Sequence, residues 1–287
     1  MRIIDTHCHL YFPDLWKERK KIFAENTQAG VKHAIQIGCD EISIVAMMEM
    51  IKEFPTYHAV LGVHPCDSDR FGKKNNYHHG TPWENYVPKC STAEIFFDWI
   101  DEVCEKNSAK IMGFGETGFD LYHRHTPELL KTQKKCFDAH LRLAKKWKKP
   151  VVIHLREAAK NFIDYWEAKN RPEIPGVVHC FSEGVEEAKI YTERFGFHLG
   201  IGGTSTYPSA EKIRQAIRET NIRWIVTETD APFLVPHKKR KVGEKKNKPA
   251  FLPEVVECIA EIKNLPVEET AEILYENGLR LFGLGPN

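Results

Sequence analysis

The sequence predicts an α/β fold, a (β/α)8 TIM barrel in which parallel strands alternate with helices. Short apolar runs alternate eight times with segments whose apolar residues recur at helical spacing. Histidines and acidic residues follow many of the apolar runs, at positions where the carboxyl ends of barrel strands lie. Because a length of 287 residues is within the range of one such barrel, we expect a single domain over residues 1–287.

The first part of the chain supplies three strands and two helices. The apolar run at residues 3–9 predicts a buried strand. In the following segment Leu15 and Ile22 lie among charged residues at helical spacing, and Gly30 favours a helix end. The strands predicted in this part are 3–9, 33–38 and 57–63, and the helices are 14–29 and 41–54.

One polar stretch interrupts the alternation, an insertion loop at residues 66–91 after the third strand. It has no periodic apolar face, so we expect a lid or a rim and not a second domain. Its aromatic residues include Phe71, Tyr77, Trp83 and Tyr86. Their roles stay open between packing on the barrel and stacking on unpaired bases.

The alternation resumes after the insertion loop. Thr126 and Pro127 are favoured at the start of a helix, which predicts where the longest helix begins. The remaining strands are predicted at 110–115, 151–153, 177–179, 196–201 and 223–227, and the remaining helices at 93–106, 127–148, 157–168, 185–194, 209–219, 253–263 and 267–282. Eight strands with crossover helices close most simply as a barrel.

The composition excludes several classes of protein. The net charge is +1, so any binding to nucleic acid needs a local basic patch. No window approaches about 18 consecutive apolar residues, and the amino terminus enters the first strand directly, so we expect neither a membrane span nor a signal peptide. Eight scattered cysteines without a Cys-x-x-Cys pair favour reduced thiols and a cytoplasmic location.

Metal-competent side chains recur at the predicted strand ends. His7 and His9 are separated by one residue, so they point to the same face of a strand. The carboxyl ends of barrel strands open on one rim, where active sites are built, and we therefore expect these side chains to converge. The seven residues are His7, His9, His64, Glu116, His154, His179 and Asp230.

Four histidines and two carboxylates from this group are enough for two divalent cations. The first expected ligand set is His7, His9, Glu116 and Asp230, and the second is Glu116, His154 and His179. Such a pair activates water for hydrolysis, with Asp230 acting as general base, as metal ligand or as both. Imidazole-rich ligation favours zinc, and the sequence leaves Mn²⁺, Co²⁺ and Mg²⁺ open.

Cationic side chains near the same rim suit an anionic substrate. Arg156 lies two residues after His154, His64 ends the third strand, and the basic loop 237–248 follows the eighth strand. Basic groups that neutralise phosphates supply much of the sequence-independent affinity for nucleic acid. A charge run of this kind is also compatible with a solvated surface.

Seven segments together resemble the TatD family of metal-dependent deoxyribonucleases, a branch of the amidohydrolase-like barrels. The segments are Ile4 to Leu10, Gly62-Val63-His64-Pro65, Gly115 to Asp120, Pro150 to His154, Gly176 to Phe181, Thr227 to Leu234, and Asn277 to Gly283. They extend through nearly the whole chain. Their order, spacing and context agree with the family pattern.

The resemblance implies a barrel of the metal-dependent hydrolase type that cleaves DNA phosphodiesters, often as a 3′-to-5′ exonuclease on single strands. It implies metal ligands at His7, His9, Glu116, His154, His179 and Asp230. With His64 near the scissile phosphate, we expect Asp230, Glu116 and His64 to be the catalytic residues. We expect single-stranded DNA as the partner, with no obligate protein partner.

Two features depart from the family pattern. The family commonly has Arg-Asn-Glu-Pro after the eighth strand, where this chain has Lys246-Asn247-Lys248-Pro249. We expect Lys246 and Asn247 to contact substrate, and the more basic segment to alter how the substrate is bound. The insertion loop 66–91 is longer than the usual family connection, which leaves substrate size and oligomeric contacts open.

Two other functions remain open. The wider superfamily includes hydrolases of small esters, lactones and amides, many with a carbamylated lysine on strand four. Glu116 at that position favours the nuclease branch. A protein without catalysis, in which the metals only brace the barrel, is the second alternative.

Overall fold

A computed structural model describes residues 1–73, 78–124, 126–170 and 172–285. Tyr77, one of the aromatic residues predicted to pack or stack, lies outside the described residues. Eight strands alternate with helices along the described chain, as predicted. Within these ranges no helix has both the length and the apolar character that crossing a bilayer demands.

The strands are short and almost entirely buried, as expected for parallel strands that are covered on both faces. Their bounds are β1 Ile3–Cys8, β2 Val31–Ile37, β3 Tyr57–Leu61, β4 Ile111–Asp120, β5 Val151–Arg156, β6 Gly176–Val178, β7 His198–Ile201 and β8 Ile225–Thr227.

Eleven α-helices are present in the described chain. They are α1 Pro13–Trp16, α2 Arg19–Gln28, α3 Glu41–Glu53, α4 Ala93–Lys106, α5 Pro127–Trp147, α6 Ala159–Ala168, α7 Val185–Lys189, α8 Glu211–Glu219, α9 His237–Lys241, α10 Leu252–Lys263 and α11 Val267–Phe282. Thr126 caps α5 by accepting a hydrogen bond from the Leu129 amide, as predicted.

The chain divides into two compact units. The first unit comprises Met1–Leu10, Asp14–Gln36 and the chain from Val177 onward, and the second comprises Tyr11–Pro13 and Ile37–Gly176. The single-domain organisation therefore stays a prediction.

In the first unit parallel pairs join β1 to β2, β6 to β7, and β7 to β8. β1 also meets the segment after β8, where Cys8 forms a bridge with Ala231. Helix α11 packs so closely on β1 that a β-carbon added at Gly278 would lie 2.5 Å from Ile4 Cγ2. The Asn277 amide donates to the backbone oxygens of Ile222 and Ile225, which ties α11 to the start of β8.

In the second unit β4 pairs in parallel with β3 on one side and with β5 on the other. The register places Gly118 opposite His154 and Asp120 opposite Arg156. Behind this sheet the rings of Phe119, Phe137 and Phe162 lie with centres 5.8 to 6.1 Å apart. The core of this unit is thus aromatic and positions the carboxyl ends of β4 and β5.

Several elements differ from the sequence prediction. β5 was predicted to end at residue 153 but continues to Arg156, so His154 lies inside the strand and not after it. The helix predicted at 185–194 is α-helical only to Lys189. The helix predicted at 14–29 is two helices, because the chain turns where the Glu18 amide bonds to the Leu15 oxygen. β4 was predicted to end at residue 115 but continues to Asp120, since its pairing with β5 extends that far. The basic loop 237–248 contains the short helix α9.

Candidate metal centre

The first unit brings together a cluster that we call the β1 cluster, defined as His7, His9, His179, Glu228 and Asp230. The Nε2 atoms of His7 and His9 are 3.1 Å apart. Asp230 Oδ1 lies 3.2 Å from His9 Nε2 and 3.6 Å from His7 Nε2. Three of the residues in the first expected ligand set therefore converge.

Backbone contacts between β1 and the segment after β8 fix these side chains. The Asp230 amide donates to the His7 oxygen at 2.8 Å, and the His9 amide donates to the Ala231 oxygen at 2.8 Å. Asp230 has a φ of +54°, a conformation that few residues other than glycine adopt. This turn directs the carboxylate back toward the two histidines.

Asp5 holds the same two segments from below the site. Its carboxylate accepts hydrogen bonds from the His7 and Thr229 amides, and from the Thr229 hydroxyl at 2.6 Å. Burial raises the pKa of Asp5 to about 7, although these hydrogen bonds lower it. Asp5 is buried and points to backbone groups, so it positions His7 and Asp230.

His179 joins the β1 cluster from the end of β6. Its ring stacks on that of His7, with centres 3.9 Å apart and planes 11° from parallel. Its Nδ1 is 3.7 Å from Glu228 Oε1, an oxygen that also accepts a hydrogen bond from the Cys180 amide at 2.6 Å. The sequence grouped His179 with Glu116 and His154, and within its own unit it contacts His7 and Glu228.

Opposing effects act on the ionisation of Asp230. Burial by itself favours the neutral acid, but a hydrogen bond from His9 and the charges of His7 and His9 favour the carboxylate. The net effect is that the pKa of Asp230 is lowered. A negatively charged oxygen next to two imidazole nitrogens is a donor set for a divalent cation.

The second unit brings together another cluster, the β4 cluster, defined as His64, Glu116, Asp120, His123 and His154. His154 lies between two carboxylates, with Nδ1 2.8 Å from Glu116 Oε1 and Nε2 3.1 Å from Asp120 Oδ2. His64 Nε2 is 3.6 Å from Glu116 Oε1. Glu116 and His154 of the second expected ligand set are therefore adjacent.

The register of β4 and β5 creates this arrangement. Glu116 lies inside β4 and Asp120 is its last residue, so they are separated by four positions and share a face of the strand. His64 follows β3 and accepts a hydrogen bond from the Cys66 amide on Nδ1, which leaves Nε2 toward Glu116. The sequence analysis placed Glu116 after its strand, and this is corrected.

Several hydrogen bonds hold the Asp120 carboxylate in the β4 cluster. Besides His154, it contacts His123 Nδ1 at 2.8 Å and accepts from the Tyr122 and His123 amides. Burial opposes its ionisation, but the hydrogen bonds from His154 and His123 dominate and hold its pKa well below the usual range. Asp120 therefore orients His154.

The expected substrate residues have different placements. Arg156 is exposed, with its guanidinium carbon 4.6 Å from the centre of the Tyr122 ring. The Lys246 ammonium is 3.0 Å from Asp14, and both side chains are exposed. Asn247 is fully buried, and its amide donates to the Thr229 and Leu234 oxygens. Asn247 thus braces the turn that carries Asp230, and its side chain is turned away from solvent.

Over residues 4–283 the sequence matches the family model described as TatD related DNase. The chain belongs to this family.

Relatives of similar length support the TatD assignment. An uncharacterized metal-dependent hydrolase of Bacillus subtilis (strain 168), YabD, is 29% identical over 280 residues and covers 98% of both chains. The corresponding YcfH of Escherichia coli (strain K12) is 27% identical over 285 residues, covering 98% of this chain and 96% of the relative. These TatD relatives are described as metal-dependent hydrolases.

A solved structure establishes the fold class. The TatD homologue YjjV from Escherichia coli K12 superimposes with a TM-score of 0.81 and 26% identity, over 99% of both chains. The predicted (β/α)8 barrel is confirmed. So is the resemblance to the TatD family, which the sequence motifs predicted.

The donor atoms of both clusters fit a divalent cation, which a TatD hydrolase requires. His7, His9 and Asp230 offer two nitrogens and one oxygen within 4.8 Å of one another, and so do His64, Glu116 and His154. His7, His179 and Glu228 form a further such group. Buried imidazoles beside carboxylates are typical of zinc, manganese or cobalt ligation.

Sequence reasoning missed Asp5 and Glu228 beside the ligands of the β1 cluster, and Asp120 in the β4 cluster. A signal was available for each, since Asp5 and Glu228 lie two positions before His7 and Asp230, and Asp120 lies four positions after Glu116. In an extended segment such spacings place side chains on one face. The missing information was which buried carboxylate would meet which histidine.

Proposed function

We propose that this TatD-family hydrolase cleaves phosphodiester bonds of DNA with the aid of divalent cations. The observation that carries the proposal is the convergence of imidazoles and carboxylates in the β1 and β4 clusters of a chain from the TatD related DNase family. Divalent cations suit phosphodiester hydrolysis, because they can generate a nucleophile from water and stabilise the charge on the attacking and leaving oxygens.

The residues that would hold the cations are His7, His9, His179 and Asp230 in the β1 cluster, and Glu116 and His154 in the β4 cluster. A bound cation lowers the pKa of water and neutralises charge on the phosphate oxygens. Two ions per chain, with zinc favoured and manganese or magnesium as alternatives, form part of the proposal.

The side chains have separable roles in this reaction. Asp230, ionised beside His9, accepts the proton of the attacking water as general base. His64 directs its Nε2 atom toward Glu116, and this nitrogen donates to an oxygen of the scissile phosphate. Arg156 and Lys246 are exposed cations that neutralise flanking phosphates.

The hydrogen bonds that Asp120 and Asp5 accept support a role for both as positioning residues. Asp120 fixes Nε2 of His154, so Nδ1 beside Glu116 is the nitrogen that would bind a cation. Asp5 fixes the backbone of His7 and of the segment before Asp230. Neither carboxylate needs to touch substrate for its removal to reduce the rate.

The finer part of the proposal concerns the substrate and the place of action. We expect a preference for single-stranded DNA, degradation from the 3′ end, and action in the cytoplasm. An unpaired 3′ end can enter a rim lined by Arg156 and His64 without separating a duplex.

The test uses end-labelled single-stranded DNA and metal-loaded protein. We expect a ladder of products that disappears with EDTA and returns on addition of Zn²⁺ or Mn²⁺. Glu116→Gln and Asp230→Asn should each reduce the rate at least about 100-fold. Lys160→Ala, which removes an exposed cation on α6, serves as the matched control.

The alternatives give different results in the same experiment. Intact DNA together with turnover of a lactone, amide or small ester would replace the nuclease with a small-molecule hydrolase. No turnover of any of these substrates would leave a metal-braced binding protein. Equal DNA cleavage by wild type and Asp230→Asn would contradict the proposed site.

A further inference from the structure

An exposed aromatic side chain pairs with an exposed cation at the ends of β4 and β5. Tyr122 is 55% exposed, one of the few large apolar side chains in the described chain with so much accessible surface. The guanidinium of Arg156 lies over its ring, with the carbon atom 4.6 Å from the ring centre. We call these two residues the Tyr122–Arg156 pair.

The pair has a fixed backbone on both sides. The Leu121 amide donates to the Arg156 oxygen at 2.9 Å, which continues the β4 and β5 ladder past Asp120. The Tyr122 amide donates to Asp120 Oδ1 at 3.0 Å. A surface loop whose backbone is held by these contacts presents the aromatic ring without the entropy loss that ordering a mobile loop would cost.

The same contacts place the pair beside the β4 cluster. Asp120, which accepts from the Tyr122 amide, also contacts His154 Nε2 at 3.1 Å. Arg156 follows His154 by two positions, so both side chains project from the same side of β5. Two residues of a strand cover roughly 6.6 Å. This spacing is comparable with the distance between neighbouring phosphates of an extended single strand.

The charge of Arg156 is available for a phosphate. Within the described ranges its guanidinium forms no ion pair with a carboxylate, and it lies over the Tyr122 ring. The neighbouring Arg124 differs, because it forms a bidentate pair with Asp69 at 2.7 and 2.8 Å. Unlike Arg124, Arg156 can therefore engage a phosphate without displacing a carboxylate.

We propose that the Tyr122–Arg156 pair is a nucleotide subsite, in which Tyr122 stacks on an unpaired base and Arg156 contacts the phosphate next to it. The inference rests on the proposed nuclease function and adds a substrate-binding residue to it. Stacking on an aromatic ring tolerates any base and requires an accessible base face. The bases of a duplex interior lack that face, so the subsite selects single-stranded ends.

The test compares two oligonucleotides on metal-loaded protein. One is a fluorescently labelled single strand, and the other is the same strand with abasic residues at its three terminal positions. For wild type we expect removal of the bases to raise KM at least about fivefold. Tyr122→Leu should raise KM by a similar factor on the intact strand and show no further rise on the abasic strand, whereas Tyr122→Phe should behave as wild type.

Arg156→Gln tests the phosphate contact independently. It should raise KM on both strands and reduce the slope of log KM against log salt concentration by about one. Ile95→Ala is the matched control, because it removes a side chain of similar exposure, 47%, from helix α4. General misfolding of a variant would change KM equally on the intact and the abasic strand.

The outcomes separate this inference from the function on which it rests. A wild type that degrades neither strand overturns the nuclease proposal and the subsite together. A wild type that degrades DNA but does not distinguish intact from abasic ends overturns the subsite alone. Retention of the discrimination in Tyr122→Leu also overturns it.

Discussion

The imidazole rings of His7 and His179 stack face to face, with centres 3.9 Å apart and planes inclined by 11°. Two positive charges at this separation repel by about 4 kcal/mol at an effective dielectric of 20. Stacking in this geometry therefore disfavours a charge on both rings at once, and a neutral imidazole is the form that binds a cation.

From this stacking we predict that acid releases metal from the β1 cluster. Protonation of either ring removes a nitrogen ligand, so metal content after dialysis should fall between pH 7 and pH 5. His179→Gln should lower metal affinity at least about tenfold already at pH 7. Mass spectrometric metal analysis measures both effects, with His79→Gln as an exposed histidine control. Full metal retention by His179→Gln would contradict this ligand assignment.

Asp120→Asn should loosen His154 without removing a direct ligand. Loss of the carboxylate that accepts from a ligating histidine typically costs 10- to 100-fold in metal affinity or activity, so we expect a decrease of about that size. Competition with a chromophoric chelator measures the affinity. Asp164→Asn removes an exposed carboxylate from the same unit and should bind metal as wild type does. Equal affinities in the two variants would mean that Asp120 does not orient the ligand.

Gly200→Ala should displace Glu228 from the β1 cluster. A methyl group at Gly200 would lie 2.1 Å from Glu228 Oε2 and 3.1 Å from the His179 Cα atom, so the carboxylate must move. We expect reduced metal affinity with an unchanged circular dichroism spectrum. Gly285→Ala, where a methyl group meets no atom within 4 Å, is the control. Unchanged affinity in Gly200→Ala would show that the position of Glu228 is unimportant for the metal.

His140 should make the stability of the metal-free protein depend on pH. Its Nδ1 donates to the Cys136 oxygen and its Nε2 accepts from the Val63 amide, so the buried ring is neutral. Burial lowers its pKa from 6.5 to about 4, although the bond to Cys136 raises it. Because the folded-state pKa is the lower one, the stabilisation is complete above pH 6.5 and is lost as pH falls toward 4.

The expected size of this effect follows from the shift in pKa. Between pH 7.5 and pH 4 the free energy of unfolding of wild type should fall by roughly 3 kcal/mol more than that of His140→Gln. Urea unfolding in the presence of EDTA measures it, because the chelator keeps metal release out of the comparison. Parallel pH profiles for the two proteins would show that His140 does not titrate on unfolding.

Local sequence patterns predicted most of the secondary structure, and errors occurred where distant contacts decide. The Thr126 and Pro127 signal gave the start of α5 correctly, because an N-cap depends on residues within one turn. The end of β4 was predicted five residues too early, since the strand continues as far as β5 pairs with it. Asn247 was expected at the substrate, but its amide is used by the backbone of Thr229 and Leu234.

The sequence by itself determined the alternation of strands and helices, the membership in the TatD family, and the histidines and acids available near the strand ends. Those features follow from periodicity and from short motifs, which are local properties of a chain. Only the tertiary structure decided that Asp5 would hold Thr229, that His179 would stack on His7, and that Asp120 would hold His154. These partners are 34 to 224 positions apart, and their contacts form only because long-range strand register and helix packing bring buried polar groups within hydrogen-bonding distance.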